Sequence, residues 1–191
     1  MIKMIRNNGK LNKYIKDTIE DAGIEVKVAP ELCTEQYVGI KVDDYYNDQH
    51  LDGETPKSVD YIVPVDCECN SYVLYILEFK NVNEPRNIIN SEIRDKFDTA
   101  INRFLKNDFS DIFEKDQFKY RDMKLYLVTT AYKKAMEYGS YEAYLNILKK
   151  VKGRDTLELD IGLASRPYRF RNMVRYIQKE VPPNPLIKRI T

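Results

Sequence analysis

The chain has 191 residues, of which 43% are hydrophobic and 32% are charged, and its formal net charge is +1. This length and composition predict one globular domain with a substantial core, and the near-neutral charge argues against a generic nucleic-acid coat protein. No apolar run approaches the roughly 20 residues that a membrane-spanning helix needs. The N-terminal segment MIKMIRNNGK has no hydrophobic signal core, so we expect a cytoplasmic protein without a membrane partner.

The residue types present restrict the chemistry that the chain can perform. An odd set of cysteines, Cys33, Cys67 and Cys69, argues against a disulfide framework and suits a reducing compartment. The single histidine, His50, excludes paired-histidine zinc motifs. No P-loop or dinucleotide-binding glycine motif occurs among the seven glycines. Any catalysis must therefore depend on carboxylates and lysines.

The N-terminal half predicts one helix followed by three strands. Apolar residues at helical spacing predict a helix over residues 10–22, and Gly23 is a natural stop. Alternating β-branched and aromatic residues predict a strand over 36–46. Two further strands, over 58–65 and 71–80, are joined by the short segment DCECN, which predicts an antiparallel hairpin.

The C-terminal half predicts alternating helices and strands. An amphipathic stripe predicts a long helix over 86–106, whose mixed charges we expect to form a solvated face. A buried strand follows over 124–130, then a helix over 132–151, a strand over 156–163 and a final helix over 171–179. This order predicts an α/β fold in which helices flank a mixed central sheet.

Three charged residues, Asp60, Glu78 and Lys80, lie within the predicted hairpin. A buried charge costs several kcal/mol unless it is paired. Glu78 and Lys80 share a face of their strand, and the antiparallel geometry brings Asp60 beside them. Two carboxylates, with the carbonyl of Phe79 as a further ligand, suit Mg²⁺, while the lysine can orient or deprotonate water or stabilise phosphate charge. The set predicts metal-assisted hydrolysis of a phosphodiester.

Glu78 and Lys80 form a tripeptide pattern of an acidic residue, any residue and lysine. This pattern is not specific by itself, since two other copies begin at Glu25 and at Asp122. Neither of those copies has an acidic partner on a preceding hairpin strand. Only the copy that begins at Glu78 follows an apolar run, VLYIL, and has such a partner. The combination is therefore more informative than the tripeptide.

The segments SVDY and ILEFKN resemble the PD-(D/E)XK nuclease superfamily, which includes many type II restriction enzymes and Holliday-junction resolvases. The resemblance implies a restriction-endonuclease-like αβββαβ core over about 10–130, within a single nuclease domain over 1–191 that has a C-terminal extension over about 131–191. It implies that Asp60 and Glu78 hold Mg²⁺, for which Mn²⁺ can substitute, and that Lys80 assists the attacking water. Val59 stands where the superfamily motif has proline.

The function that this resemblance implies is a restriction-type endonuclease acting on duplex DNA. One active site per chain cuts both strands most simply as a symmetric homodimer. The alternatives are a Holliday-junction resolvase or repair nuclease, an RNA endonuclease, and a nuclease-fold module that binds nucleic acid without catalysis. An additional acidic ligand is left open among Glu20, Glu31 and Glu35.

A basic segment over 166–191 is a candidate nucleic-acid contact. Its arginines alternate with aromatic residues, a composition that suits phosphate contacts and base stacking. The candidate arginines are Arg166, Arg169, Arg171 and Arg175. The same pattern fits aromatic residues that belong to the core and arginines that face water, and both interpretations stay open.

Overall fold

A mixed six-stranded sheet organises the part of the chain that the computed structural model describes, namely residues 1–49, 53–132, 142–143, 146 and 155–190. The helices with described bounds are α1 (Ile2–Arg6), α2 (Val42–Asn47), α3 (Asn90–Asp98), α4 (Ser110–Phe113) and α5 (Asp155–Ala164). The strands are β1 (Ile15–Lys16), β2 (Ile19–Asp21), β3 (Ile24–Val26), β4 (Gly39–Lys41), β5 (Tyr61–Asp66), β6 (Ser71–Lys80), β7 (Lys119–Thr129), β8 (Tyr168–Phe170), β9 (Met173–Arg175) and β10 (Ile177–Glu180). Helix α3 continues into a π-helix over Thr99–Asp108.

The strand order of the main sheet is β1-β4-β5-β6-β7-β10. The pairs from β1 to β6 are antiparallel, whereas β7 is parallel to β6 and β10 is parallel to β7. Hairpins β2–β3 and β8–β9 form separate two-stranded sheets. The α/β class and the mixed central sheet flanked by helices agree with the sequence prediction.

Strand β6 divides the core into two clusters because its side chains alternate between the two faces of the sheet. Leu74 and Ile76 belong to the larger cluster, which also contains the buried residues of α1 to α5. Tyr75 and Leu77 belong to the smaller cluster, which contains the buried residues of hairpin β2–β3. By this alternation Glu78 and Lys80 lie on the face against α3.

The predicted hairpin over 58–80 is confirmed as β5 and β6. The predicted helix over 86–106 corresponds to α3 and its π-helical continuation, and the predicted strand over 124–130 corresponds to the C-terminal part of β7. In each case a long apolar pattern with clear boundaries specified the element. The predicted helix over 132–151 lies outside the described residues except at 132, 142–143 and 146.

The predicted helix over 10–22 is wrong. Residues Asn12–Tyr14 form a 3₁₀ turn, and β1 and β2 follow it. Ala22 and Gly23 have φ angles of 50° and 75°, which is the backbone of a tight hairpin turn. Isoleucines at the apolar positions favour strands over a helix once such a turn is available.

The predicted strand over 36–46 is only partly correct, because strand β4 covers three of its residues and helix α2 begins directly afterwards. Asp43 and Asp44 lie in the first turn of α2, where acidic side chains are favourable. Tyr45 and Tyr46 are buried against the larger core cluster. The short helix therefore buries the aromatic residues that suggested a longer strand.

Two C-terminal predictions are also wrong. The predicted strand over 156–163 is helix α5, in which Leu159 and Leu163 are buried four residues apart, as one face of a helix requires. The predicted helix over 171–179 is instead strands β9 and β10. Arg171 has a φ of 50°, which ends β8 in a turn and precludes a helix start there.

No helix within the described ranges combines the length and the hydrophobicity needed to cross a membrane.

Phe104 is a central core residue, since it is fully buried and its ring lies 4.7 Å from that of Phe109 and 5.6 Å from that of Tyr45. We expect Phe104→Ala to lower the free energy of unfolding by about 3–5 kcal/mol, because it removes buried area and leaves a cavity. Urea denaturation followed by circular dichroism measures this change. Ile161→Ala, at a side chain that is 59% exposed, is the control and should change stability by less than about 0.5 kcal/mol.

Candidate metal centre

The β5–β6 register brings Asp60 and Glu78 together. Tyr61 pairs with Leu77, so Asp60 and Glu78 lie opposite each other one step nearer the strand end. The backbone N–H of Phe79 donates a hydrogen bond to Asp60 Oδ2 at 2.6 Å. The Phe79 ring packs against Tyr61 on the opposite face, with centroids 6.0 Å apart. The convergence expected from the sequence is therefore present.

Glu78 is completely buried and its two carboxylate oxygens differ sharply in their surroundings. Oε1 forms ion pairs with Lys80 Nζ at 3.0 Å and with Lys96 Nζ at 2.7 Å. Oε2 is buried and has no hydrogen-bond partner among the described residues. An unsatisfied buried acceptor costs about 1–3 kcal/mol. This oxygen is thus available to a further donor or to a cation.

Lys96 was not identified from the sequence as a site residue. It lies on α3, and its ammonium reaches Glu78 while the side chain stays only 20% exposed. The expectation that the charges of this helix form a solvated face is therefore wrong at Lys96. Its position next to Phe97, which is buried, is the one sequence signal that this side chain borders the core.

A second group of charges lies beside Asp60. Asp21, Asp43 and Asp60 each contribute one carboxylate oxygen, and these three oxygens lie within 4.8 Å of one another. The ammonium of Lys41 lies among them. It donates a short hydrogen bond to Asp21 Oδ2 and lies 3.2 Å from Asp43 Oδ1 and 3.9 Å from Asp60 Oδ1. Oxygen-rich sites of this type suit hard divalent cations.

The loop after β6 helps to position this group. Asn81 donates a hydrogen bond from Nδ2 to the carbonyl of Ala22 at 2.8 Å and accepts one from Thr130 Oγ1 at 2.9 Å. Ala22 directly follows Asp21 in the turn of hairpin β2–β3. The end of β6, the end of β7 and the turn that carries Asp21 are therefore tied together at one edge of the sheet.

The acids left open as an additional ligand lie elsewhere. Glu20, Glu31 and Glu35 have exposed side chains, and the cluster contains Asp21 and Asp43 instead. Glu20 and Asp21 are neighbours on a strand, so their side chains point to opposite sides. The sequence analysis included Glu20 among the open candidates because it placed this segment in a helix.

Burial and mutual repulsion alter the protonation of the carboxylates. Burial, followed by the charge of Glu78, raises the pKa of Asp60 to about 8, against the opposing effects of Lys96, the Phe79 N–H and Lys41. Burial also raises the pKa of Asp43. Asp60 therefore holds a proton at neutral pH that a bound cation would displace.

The two lysines at the ends of β4 and β6 are cationic. Burial alone favours neutral Lys80, but the Glu78 carboxylate outweighs burial and raises the pKa of Lys80. The pKa of Lys41 is likewise raised, because the aspartates around it outweigh its burial. Both side chains thus act as hydrogen-bond donors and positive charges at neutral pH.

Three of the four candidate arginines are paired within the chain. Arg166 forms an ion pair with Asp98 at 2.6 Å, and Arg175 forms one with Asp122 at 2.6 Å. The guanidinium of Arg171 donates hydrogen bonds to two backbone carbonyls, those of Lys115 and Phe118. Arg169 is exposed, and its guanidinium has no hydrogen bond or ion pair with another described residue.

Arg175 and its acidic partner lie far from the carboxylate of Glu78. Asp122, the partner of Arg175, lies beside Val73 in the sheet, five residues before Glu78 on β6, or about 17 Å along the strand. The aromatic residues Tyr168 and Phe170 are buried in the core. This agrees with the alternative interpretation of the basic segment, in which its aromatic residues belong to the core. A nucleic-acid contact by the arginines stays a prediction.

Comparison of the chain with protein-family models, with curated proteins and with solved structures finds no match.

The raised pKa of Asp60 predicts a pH-dependent stability in the presence of EDTA. Between its ordinary value of 3.8 and about 8, folded Asp60 holds a proton that the unfolded chain has lost. The free energy of unfolding therefore falls as pH rises through this window, by up to about 1.4 kcal/mol per pH unit. Asp60→Asn mimics the protonated carboxyl and does not titrate, so its stability should not show this fall with pH. The free energy of unfolding of Asp60→Asn should therefore increase relative to that of wild type between pH 5 and pH 8.

Urea titrations at several pH values measure the difference between Asp60→Asn and wild type. Asp116→Asn, at an exposed carboxylate, is the matched control and should keep the wild-type profile. A difference between Asp60→Asn and wild type that stays constant from pH 5 to pH 8 would contradict the assigned protonation of Asp60.

Proposed function

We propose that this chain is a divalent-metal-dependent endonuclease that hydrolyses phosphodiester bonds in DNA. The observation that carries the proposal is the pair of buried carboxylates, Asp60 and Glu78, with an unsatisfied oxygen on Glu78 and the Lys80 ammonium 3.0 Å from its other oxygen. A chain without such chemistry gains nothing from an unsatisfied buried carboxylate beside a second acid.

The donor set fits Mg²⁺, or Mn²⁺ in its place. Asp60 and Glu78 would hold the ion through carboxylate oxygens, and the backbone carbonyl of Phe79, which lies between Glu78 and Lys80 in the sequence, would be a further ligand. When bound, the ion would polarise the phosphoryl group and lower the pKa of water. Glu78 Oε2 supplies the test of fit, because this buried oxygen lacks a partner among the described residues.

Lys80 has the role of a donor in this proposal. Its raised pKa keeps it protonated, so it orients the attacking water or stabilises the charge that develops on the phosphate, and it does not act as a general base. Its side chain is 29% exposed, whereas Glu78 is fully buried, so the ammonium borders the region that a substrate can reach.

Lys96 has a positioning role. It pairs with Glu78 Oε1 at 2.7 Å, on the same oxygen that Lys80 contacts. Two ammonium groups on Oε1 fix the carboxylate and leave Oε2 as the oxygen for the ion. This division of the two oxygens supports a site that is pre-organised before an ion binds.

The element order supports a restriction-endonuclease-like core. Antiparallel strands β4, β5 and β6 are followed by α3 and by the parallel strand β7, which matches the βββαβ part of the superfamily pattern. The chain departs from the pattern in two respects. The first helix, Ile2–Arg6, is short, and α2 stands between the first two core strands.

The substrate and the assembly belong to the same proposal. We infer duplex DNA as the substrate and a homodimer as the active form, because two copies of one centre would cut both strands. Arg169, which is exposed, is the arginine of the basic segment best suited to contact phosphate. Resolvase, RNA endonuclease and non-catalytic binding are the alternatives that the following experiments separate.

Lys80→Ala should abolish Mg²⁺-dependent DNA cleavage, a loss of at least about 100-fold, since it removes a charge that stabilises the transition state. The fold and Mn²⁺ binding should persist because the carboxylates remain. Lys124→Ala is the matched control, because Lys124 belongs to another acid-x-lysine tripeptide and forms a similar ion pair with Asp122 at 3.5 Å. Plasmid nicking and circular dichroism measure the two effects.

Cleavage by Lys80→Ala at the wild-type rate would show that Lys80 has no catalytic role. Equal losses in Lys80→Ala and Lys124→Ala would point to a general charge effect.

Digestion of a long duplex with Mg²⁺, compared with the same reaction in EDTA, should give metal-dependent cleavage into discrete bands. Single-stranded RNA and a four-way DNA junction are the parallel substrates, and size-exclusion chromatography measures the assembly. Faster RNA cleavage or cutting of the junction alone would replace the substrate in this proposal. No cleavage of any substrate, together with no metal binding by calorimetry, would favour the binding module.

A further inference from the structure

Lys41 is the cation that pairs with the acidic cluster of Asp21, Asp43 and Asp60. Its residue is 8% exposed, and its ammonium lies within 4 Å of the carboxylates of Asp21, Asp43 and Asp60. The same ammonium lies 4.9 Å from the centre of the Tyr61 ring, a cation–π distance. Lys41 is therefore held by three carboxylates and one aromatic ring.

The ammonium occupies a position that would otherwise suit a metal ion. One oxygen from each of the three aspartates lies within 4.8 Å of the others, and carboxylate oxygens around one point form the usual environment of a hard divalent cation. A positive charge is needed there because three carboxylates at this spacing repel one another. Lys41 supplies that charge from within the chain.

The centre as a whole still has room for one cation. Once a bound ion displaces the proton of Asp60, the described carboxylates outnumber the ammonium groups by four to three, namely Asp21, Asp43, Asp60 and Glu78 against Lys41, Lys80 and Lys96. Two buried oxygens of this set, Asp43 Oδ1 and Glu78 Oε2, have no hydrogen-bond partner among the described residues. Asp43 Oδ1 already faces the ammonium of Lys41 at 3.2 Å, so the oxygen left for a further cation is Glu78 Oε2, on a fully buried side chain. It lies on the helix face of the sheet, whereas Lys41 pairs with Tyr61 and lies on the hairpin face.

We propose that Lys41 is a fixed cation that takes the place of a second divalent ion, so that the centre binds one divalent ion per chain. The first ion is the one held by Asp60 and Glu78, and to that extent the inference rests on the proposed function. Asp60 belongs to both groups. Lys41 therefore neutralises the side of Asp60 that faces Asp21 and Asp43 and leaves the Glu78 side for the ion.

The charge of Lys41 excludes a second ion for two reasons. Its ammonium fills the space between the aspartates, with a hydrogen bond to Asp21 and 3.2 Å to Asp43. A divalent ion at these oxygens would also face a like charge at contact distance in a buried environment, where charge repulsion is strong. A neutral side chain at this position removes both obstacles.

The test is the number of Mn²⁺ ions bound per chain, measured by calorimetry and by electron paramagnetic resonance on the full chain after EDTA treatment. We expect wild type and Lys41→Arg to bind one ion, and Lys41→Met and Lys41→Gln to bind two. Spin–spin coupling between two nearby ions should broaden the spectrum of the neutral variants alone. The double variant Lys41→Met with Asp43→Asn should again bind one ion, because it lacks a carboxylate ligand of the second ion.

One ion in both wild type and the neutral variants, or two in wild type, would overturn the inference. No ion in wild type together with one in Lys41→Met would support the role of Lys41 and contradict the proposed function, which needs an ion at Asp60 and Glu78. Variants that fold only when Mn²⁺ is present support the inference, since the ion then replaces the ammonium. Failure of both neutral variants to fold even with Mn²⁺ would contradict it.

Discussion

The burial of Glu78 is the constraint on which the rest of this site depends. A fully buried carboxylate is tolerable only if donors and opposite charges surround it, and two lysines from different elements meet this need at Oε1. Lys80 comes from the same strand, but Lys96 comes from α3. Helix α3 must therefore pack against the sheet at the position along β6 from which the Lys96 ammonium reaches Glu78. The buried side chains of Ile93 and Phe97 hold the helix there.

Asp60 connects two charge groups that approach the sheet from opposite faces. Lys41 and Asp21 lie on the side of hairpin β2–β3, whereas Glu78, Lys80 and Lys96 lie on the helix side. Because Asp60 immediately precedes β5, its carboxylate interacts with both groups. The raised pKa of Asp60 is the consequence, since burial and Glu78 outweigh the nearby lysines. Such charge concentration costs stability, a cost that is common where chemistry depends on it.

Sequence patterns predicted long elements well and short ones poorly. The ten residues of β6 and the helix that begins at α3 have enough apolar positions to distinguish a period of two from one of 3.6. Segments 10–22, 156–163 and 171–179 have too few apolar positions to distinguish these two periods. Their outcome depended on positive φ angles at turns, as at Ala22 and Arg171, and on which neighbouring element covered the apolar side chains.

The sequence by itself determined the core of the candidate site. Asp60, Glu78 and Lys80 belong to one hairpin with a short linker, so local geometry was enough to bring them together. Only the tertiary structure added Asp21, Lys41, Asp43 and Lys96, because these residues come from four further elements, β2, β4, α2 and α3, whose approach depends on long-range packing. Packing likewise paired Arg166 and Arg175 with acids of the same chain. Composition cannot reveal such pairing, because the partner of an exposed charge is decided by the fold.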